Sequence, residues 1–216
     1  NFVLMENKEC GSTIVFLNHL TGFSSSTNGI LKTTNGGNNW RYIPAPVDTV
    51  YTYSTNPSIM IYGLKNNKVY LSSDLGENWS LSLTPLTNNS INSVFFPNNN
   101  TGFAGGRKPV VFNSARIYKT TNSGSTWDTV PVISRYQIRN IYFIDPNTGF
   151  AITEKIILKT TNSGNHWDSC YNLGNQYYNL KFFDINTGYT SVGPNVVFTT
   201  NQGMNWIYED AHNSIF

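Results

Sequence analysis

Residues 119–127 read KTTNSGSTW and residues 159–167 read KTTNSGNHW. Three further stretches fit the same template: KTTNGGNNW at 32–40, LSSDLGENW at 71–79 and FTTNQGMNW at 198–206. The pattern is two Ser/Thr, then Asn or Asp, any residue, Gly, any two residues, and Trp. It uses all five tryptophans of the chain, Trp40, Trp79, Trp127, Trp167 and Trp206, which are spaced 39, 48, 40 and 39 residues apart. A period between about 20 and 50 residues marks a repeat architecture, in which one unit recurs and buries its apolar faces against its neighbours.

Around each copy, short β-rich runs recur. The third unit reads INSVFF (91–96), a turn NNNTG (98–102), GFAGG (102–106), ARIYKTT (115–121), the turn NSGS and then TWDTVPV (126–132). The fourth repeats this as IRNIYF, DPNTG, GFAIT, KIILKTT, NSGN and HWDSC, and the first and fifth follow suit. The second keeps VYLSSDLGENW but reads STNPSIMIYG where the others have a T-G-F step. No segment sustains a 3.6-residue apolar period, so no helix is expected. Four antiparallel strands repeated at this period predict an all-β fold, a β-propeller of four-stranded blades at roughly 12–47, 48–88, 89–134, 135–174 and 175–210, forming one domain over 1–216.

The repeated turn joins the third and fourth strands of each unit. Asn35, Asp74, Asn122, Asn162 and Asn201 are placed to hydrogen-bond turn amides, helped by the preceding hydroxyls. Gly37, Gly76, Gly124, Gly164 and Gly203 supply a positive φ, and each Trp then seals one blade to another. The stretch is therefore a fold device rather than a catalytic motif.

This template, S/T-x-[D/N]-x-G-x-x-W, resembles the Asp-box, or BNR repeat, of β-propellers. With the T-G-F step it looks like the blades of the photosystem II assembly-factor family and its secreted bacterial relatives, and it is related in kind to the propellers of sortilins and sialidases. The chain departs from the usual box in having Asn rather than Asp in four of five copies. The resemblance implies a fold shared by glycosidases, receptors and non-catalytic assembly factors, so function has to be argued from sites.

Composition narrows the classes. Charged residues make up 12% of the 216 residues, against about 25% in an average globular chain. The formal net charge is +2, and no Lys/Arg run exists to neutralise phosphates, which argues against a nucleic-acid partner. No apolar stretch approaches the roughly 18 residues of a membrane span. The chain opens on Asn1 rather than Met, which is read as a removed leader or as a piece of something longer. With the resemblance, a secreted, cell-surface or periplasmic bacterial location is expected.

Glycoside hydrolysis needs two carboxyls in one site, or in sialidases a Tyr nucleophile with an Arg cluster gripping the substrate carboxylate. Asp74 and Glu77 lie in a repeated turn, and Asp145 and Asp184 hold matching positions in the turn after the first strand, which assigns all four to turn chemistry. Asp48, Glu154, Glu209, Asp210, Glu6 and Glu9 show no convergent placement. Arg41 follows a box and Arg116 opens a third strand, so both are read as surface residues, and the Arg-Ile-Pro that precedes the first sialidase box is missing. No catalytic residue is assigned. His19, His166 and His212 stand singly without a partner at ligand spacing, so no metal is expected, and no cofactor motif is present. Cys10 is read as preceding the first strand of unit one and Cys170 as lying in the fourth strand of unit four, non-adjacent units too far apart for a disulfide.

The boxed turns and the N-T-G turns emerge at one end of each blade and are nearly identical between units. The other end carries connections that differ in every unit, and differing loops on a rigid scaffold are where recognition usually resides. The 48-residue spacing comes from RKPVVFNS (107–114), an inserted loop carrying Arg107, Lys108 and Phe112. Neighbouring connections add Arg135, Tyr136 and Arg139, then Tyr177 and Tyr178, and Tyr51. Tyr and Arg are enriched at binding hot spots, and aromatic faces stack on sugars. The expectation is a non-catalytic binding propeller that takes a protein or glycan on this variable end. A divergent glycoside hydrolase of sialidase or xyloglucanase type, and a structural repeat module of an adhesin or filament, are the alternatives.

Overall fold

The computed structural model describes residues 10–55, 58–85, 89–108, 114–172, 177–192 and 195–209. The described elements are strands, grouped in five four-stranded antiparallel sheets. Blade one holds β1 (Cys10–Phe16), β2 (Gly22–Ser26), β3 (Gly29–Thr33) and β4 (Arg41–Pro44). Blade two holds β5 (Thr49–Thr55), β6 (Ser58–Lys65), β7 (Lys68–Ser72) and β8 (Ser80–Leu83). Blade three holds β9 (Ser90–Phe95), β10 (Gly102–Lys108), β11 (Ser114–Thr120) and β12 (Asp128–Val130). Blade four holds β13 (Ile138–Phe143), β14 (Gly149–Thr153), β15 (Ile156–Thr160) and β16 (Asp168–Asn172), and blade five holds β17 (Tyr177–Phe182), β18 (Gly188–Val192), β19 (Asn195–Thr199) and β20 (Ile207–Glu209).

Each sheet runs in chain order from first strand to fourth, the up-and-down meander of a β-propeller blade. Contacts divide the chain into two compact units, residues 1–85 with 124–126 and residues 86–123 with 127–216. Blades one and two fall in the first, and blades three to five in the second. Within the second unit, β13 lies beside both β9 and β17, so first strand packs on first strand. β2, β3 and β14 are buried at every position, whereas β4 alternates towards exposure. A sheet covered on both sides reads as a continuous apolar run rather than an alternation.

The repeated turn is built on a buried hydroxyl. Thr33, Ser72, Thr120, Thr160 and Thr199 end the third strands and are at most 2% exposed. Each hydroxyl donates to Oδ1 of the Asn or Asp two residues on, at 2.9–3.0 Å. In blades one, two, four and five it also accepts the amide of the turn glycine at 2.8–3.0 Å. The same Oδ1 accepts the amide four residues further along, at 2.9–3.0 Å. The second Ser/Thr of the template is exposed in every copy. The glycine has φ between 70° and 89°, as the sequence suggested, and the unspecified residue before it is left-handed as well: Gly36, Leu75, Ser123, Ser163 and Gln202 have φ of 56–70°. Four of the five turns therefore hold a side chain in a region most residues avoid.

Three interactions join successive blades within a unit. The ring after the second-strand glycine covers the next turn glycine, so a Cβ on Gly203 would lie 2.5 Å from Phe150, and Phe103 covers Gly164 in the same way. The tryptophan turns its edge to that ring, with Trp167 against Phe103 at 6.2 Å and Trp206 against Phe150 at 6.3 Å. The lysine of K-T-T, which carried no role in the sequence reading, then latches the next turn. Lys119 donates to Ser163 O and Asn165 Oδ1 at 2.7 Å, Lys159 to Gln202 O at 2.8 Å, and Lys32 to Glu77 Oε1 at 2.8 Å. Blade two lacks the T-G-F step for a packing reason. In the other blades a Phe at or just past the end of the first strand lies over that glycine (Phe16, Phe96, Phe143, Phe182), while in blade two Ile61 occupies the glycine's register opposite Thr52.

The two threonines of one turn are expected to differ. Thr160→Val leaves the Gly164 amide without its acceptor and is expected to cost about 1–3 kcal/mol, whereas Thr161→Val stays within about 0.5 kcal/mol, read from urea midpoints. Asp74 gives a pH signature. The Asn78 amide, then the Asn78 side chain and the Ser72 hydroxyl, bring its carboxyl down to about 2 from the usual 3.8. A depressed folded pKa contributes stability that is present above about pH 4 and is lost as pH falls through about 2. Asp74→Asn, which restores the residue of the other turns, is expected to keep the neutral-pH melting temperature and to remove that acid arm of the melting curve.

Candidate functional site

At the uniform end of the blades the N-T-G turns are held by their own side chains. Asn18, Asn98, Asp145 and Asp184 each accept two amides of the N-T-G turn at 2.7–3.0 Å. Burial raises the Asp145 pKa, but the Asn147 and Thr148 amides outweigh it and the carboxyl lies below its usual range. The Thr187 and Asn186 amides hold Asp184 low as well. These acids perform turn chemistry, and Ser163 N and Gln202 N donate to Asn147 O and Asn186 O, tying the two turns of a blade together.

The opposite end differs from blade to blade, and in the second unit it gathers a cluster. The connection into blade four is held by Ser134, whose hydroxyl donates to Tyr136 O and accepts Tyr136 N, both at 3.1 Å, and whose carbonyl accepts Ala115 N at 3.0 Å. That places Arg135 and Tyr136 beside the start of β11. The β14–β15 turn is closed by Thr153, whose hydroxyl accepts Ile156 N at 2.9 Å, so that Glu154 and Lys155 project from it. Lys155 Nζ lies 5.3 Å from the centre of the Tyr136 ring, within cation–π range. Arg139 Nη2 and Gln137 Nε2 donate to the same Glu154 oxygen at 2.7 and 2.6 Å. Asn92 of blade three donates to Ile138 O at 2.8 Å, which locks the two first strands at this end.

Arg107 and Lys108 belong to this end too, in a different form from that expected. The stretch read as an eight-residue loop begins and ends as strand: Arg107 pairs with Ser90 and Ala115, and Lys108 pairs with Ser114, because β10 and β11 are seven residues long where β14, β15, β18 and β19 are five. Phe112 lies outside the described residues. Arg116, expected at the surface, is half-buried in β11, and its buried Nε meets no hydrogen-bond partner among the described residues. Arg41 is exposed, as expected, yet pairs with Glu77.

The remaining candidates lie elsewhere. Tyr51 is a strand residue of β5 whose ring stacks on Tyr62 at 5.5 Å, and burial pushes its phenol pKa up. Tyr177 and Tyr178 stand in β17, but their side chains lie outside what is described. Asp48 pairs with Lys65 at 3.3 Å. Of the residues named from sequence, Arg135, Tyr136 and Arg139 come together. Gln137 and Lys155 were missed, and Glu154 was weighed only as an acid. Turn length gave no signal for them, since two residues likewise separate β2 from β3, β6 from β7 and β18 from β19. Among the side chains described, Glu154 is the one carboxylate of the second unit at this end, bonded by Arg139 and Gln137, while the same ends of β10 and β11 and the connection into blade four carry Arg107, Lys108, Arg116 and Arg135. The region is cationic, with the Tyr136 ring beside Lys155.

No group of three metal-ligating side chains occurs among the described residues. His166 Nε2 sits 3.1 Å from Asp168 Oδ1, His19 is exposed, and His212 lies outside the described residues. A cavity of about 310 Å³ in the second unit is lined by Lys119, Asp128, Val130 and Asn165, but its lysine is committed to the latch. Cys170 is a free thiol packed near Trp206 and Tyr171.

No protein-family model and no curated protein matches the chain. Solved structures do. The GH74 enzyme of Niastella koreensis superposes with a TM-score of 0.70 at 18% identity, over 88% of this chain and 36% of that one. The GH74 xyloglucanase of Xanthomonas campestris gives 0.69 at 13% identity, over 93% and 39%. YCF48 bound to D1 peptide gives 0.63 at 16% identity, over 93% and 68%. The chain spans little more than a third of these GH74 structures and about two thirds of that YCF48. The likeness shows the β-propeller fold, with five four-stranded blades in this chain.

Burial pushes the Cys170 thiol up to about 11. At pH 8 its thiolate fraction is then about one in a thousand, and its labelling by a disulfide reagent is expected to be roughly a hundredfold slower than that of free cysteine until the protein is unfolded.

Proposed function

We propose that the protein is a non-catalytic binding module that takes a partner through the variable end of blades three and four. The observation that carries this reading is the continuous line from Arg107 through Ser134 and Arg135 to the Tyr136–Lys155 pair and the Arg139–Glu154–Gln137 cluster. Cations outnumber the single described carboxylate, an aromatic ring lies among them, and the backbone beneath is held by strand pairing and the Ser134 and Thr153 hydrogen bonds. Such a surface suits a carboxylate-bearing protein segment, since Arg forks match carboxylates and Tyr supplies apolar contact at low entropic cost. The likeness to a propeller that binds a peptide supports a protein partner; a glycan stacked on Tyr136 is the other ligand the surface would suit. On this reading the repeated turns are Asp-boxes, structural throughout, and a secreted, cell-surface or periplasmic bacterial location is part of the same proposal.

The likeness to GH74 enzymes supports a second reading, glycoside hydrolysis, which would use Glu154 and a second carboxyl. Within the second unit Glu154 is already bound by Arg139 and Gln137, and this favours a positioning role for it. The test separates the readings. Peptide and glycan arrays are probed with the wild type and with Arg135→Ala/Lys155→Ala, while xyloglucan hydrolysis is followed for the wild type and Glu154→Gln. Binding that falls at least about tenfold in the double variant, steepens at low salt and occurs without hydrolysis is the expected result. Hydrolysis abolished by Glu154→Gln would replace the first reading with the second.

A further inference from the structure

The two blade junctions inside the second unit are built alike and filled differently. Ile117 of β11 and Ile157 of β15 hold the same place in their strands, and both are 0% exposed. The fourth-strand residue paired with Ile117 is Val130, and the one paired with Ile157 is Tyr171. A bulge at Cys170 brings Tyr171 into that register. Directly paired residues lie on one face of a sheet, so both side chains point into their junction. Val130 packs in one cluster with Ile117 and Trp167, and Tyr171 packs against the cluster of Ile157 and Trp206.

Between blades four and five the phenol of Tyr171 spans the joint. Its ring lies 6.5 Å from the Trp206 ring, and its hydroxyl donates to Trp206 O at 3.1 Å. Between blades three and four Val130 is too short to make that crossing, and the cavity of about 310 Å³ lies beside it. One wall is residues 128–131, another is Lys119 and Thr121, and Asn165 of the next turn stands opposite. Asn165 precedes Trp167, the counterpart of Trp206, by two residues. The cavity therefore lies between the fourth strand of one blade and the turn of the next, as the Tyr171 ring does.

The lining suits a ring that carries one hydroxyl. Val130 and Pro131 give an apolar wall, and covering it removes that surface from water. Asp128 and Thr129 are exposed and offer a carboxylate and a hydroxyl on the same strand. Lys119 keeps its latch to Ser163 O and Asn165 Oδ1 and so holds the far wall in place. The volume is at the lower end of small-molecule sites, enough for one ring but not for a chain of them.

We propose that this cavity is a binding site for a phenol, which supplies between blades three and four the ring that Tyr171 supplies between blades four and five. The ring packs on Val130 and Pro131, and its hydroxyl donates to Trp167 O as the Tyr171 hydroxyl donates to Trp206 O. The site includes none of Arg135, Tyr136 and Lys155 and stands independently of the variable-end surface. A tyrosyl side chain of a bound protein and a free small phenol share this chemistry, and the test separates them.

The test titrates the full chain with 4-methylphenol and N-acetyltyrosinamide and follows backbone amide shifts by NMR. Methyl β-glucoside, and 4-methylanisole, which keeps the ring but loses the O–H donor, are the controls. Both phenols are expected to shift the amides of residues 128–130 and 165 saturably, and the controls to bind at least about tenfold more weakly. N-acetyltyrosinamide binding within about tenfold of 4-methylphenol assigns the site to a partner's side chain, and weaker binding assigns it to a free phenol. Val130→Tyr, which builds the ring into the chain, is expected to abolish these shifts; Val130→Met serves if that variant does not fold by circular dichroism. Tyr171→Val makes the converse change. It is expected to lower the melting temperature, to open a second site, and to be stabilised by 4-methylphenol more than the wild type is. No saturable shift at residues 128–130 and 165 up to about 10 mM phenol, a control that binds as well as 4-methylphenol, or a filled variant that binds like the wild type overturns the proposal.

Discussion

Everything in the fold rests on one buried hydroxyl per blade. It ends the third strand and bonds at once to a side-chain oxygen two residues on and, where the bond is described, to the glycine amide beyond. That turns the chain within a few residues and delivers a tryptophan to the junction. A hydroxyl can donate and accept together, which a methyl group of the same size cannot, so the position is closed to Val although its surroundings are apolar. The junction inherits its geometry from this turn. The glycine has no Cβ because the preceding blade's ring lies there, and the tryptophan edge meets that ring because the turn holds it.

Much of this was legible in KTTNSG-type strings. Asn or Asp as a cap for amides, Gly for a positive φ and Trp as a sealing residue are local chemistry, and the period told how many times it recurs. What the string did not disclose depends on the neighbouring blade. The latch lysine looks like any exposed cation before a polar turn until the next blade's carbonyl stands in front of it. The choice between the two hydroxyls depends on strand phase, since one faces the packed sheet and the other faces solvent. The left-handed residue before the glycine was masked by its variety: Gly, Leu, Ser, Ser and Gln share no propensity, only a place in the turn.

The variable end was less legible, for a related reason. Arg135, Tyr136 and Arg139 were picked out by residue type, but their arrangement depends on a carbonyl of Ser134 pairing across to β11 and on a two-residue turn that raises Glu154 between two donors. Arg107 and Lys108 were taken for loop because the insertion was counted from residues missing in other blades. A hairpin can absorb extra residues by lengthening both strands, and here it does so until at least Lys108 and Ser114. Tyr51 shows the opposite failure: an aromatic residue at a blade entrance was read as a ligand contact, and its ring is spent on a cross-strand stack.

The meander connectivity has a kinetic corollary. Each sheet pairs only strands adjacent in sequence through short turns, so the contact order within a blade is low and loop closure costs little entropy. Assembly can then nucleate at whichever hairpin forms first and spread outwards through the ring-on-glycine junctions, much as a zipper closes from any tooth. A lesion in one hairpin would slow propagation past that point while leaving nucleation elsewhere intact.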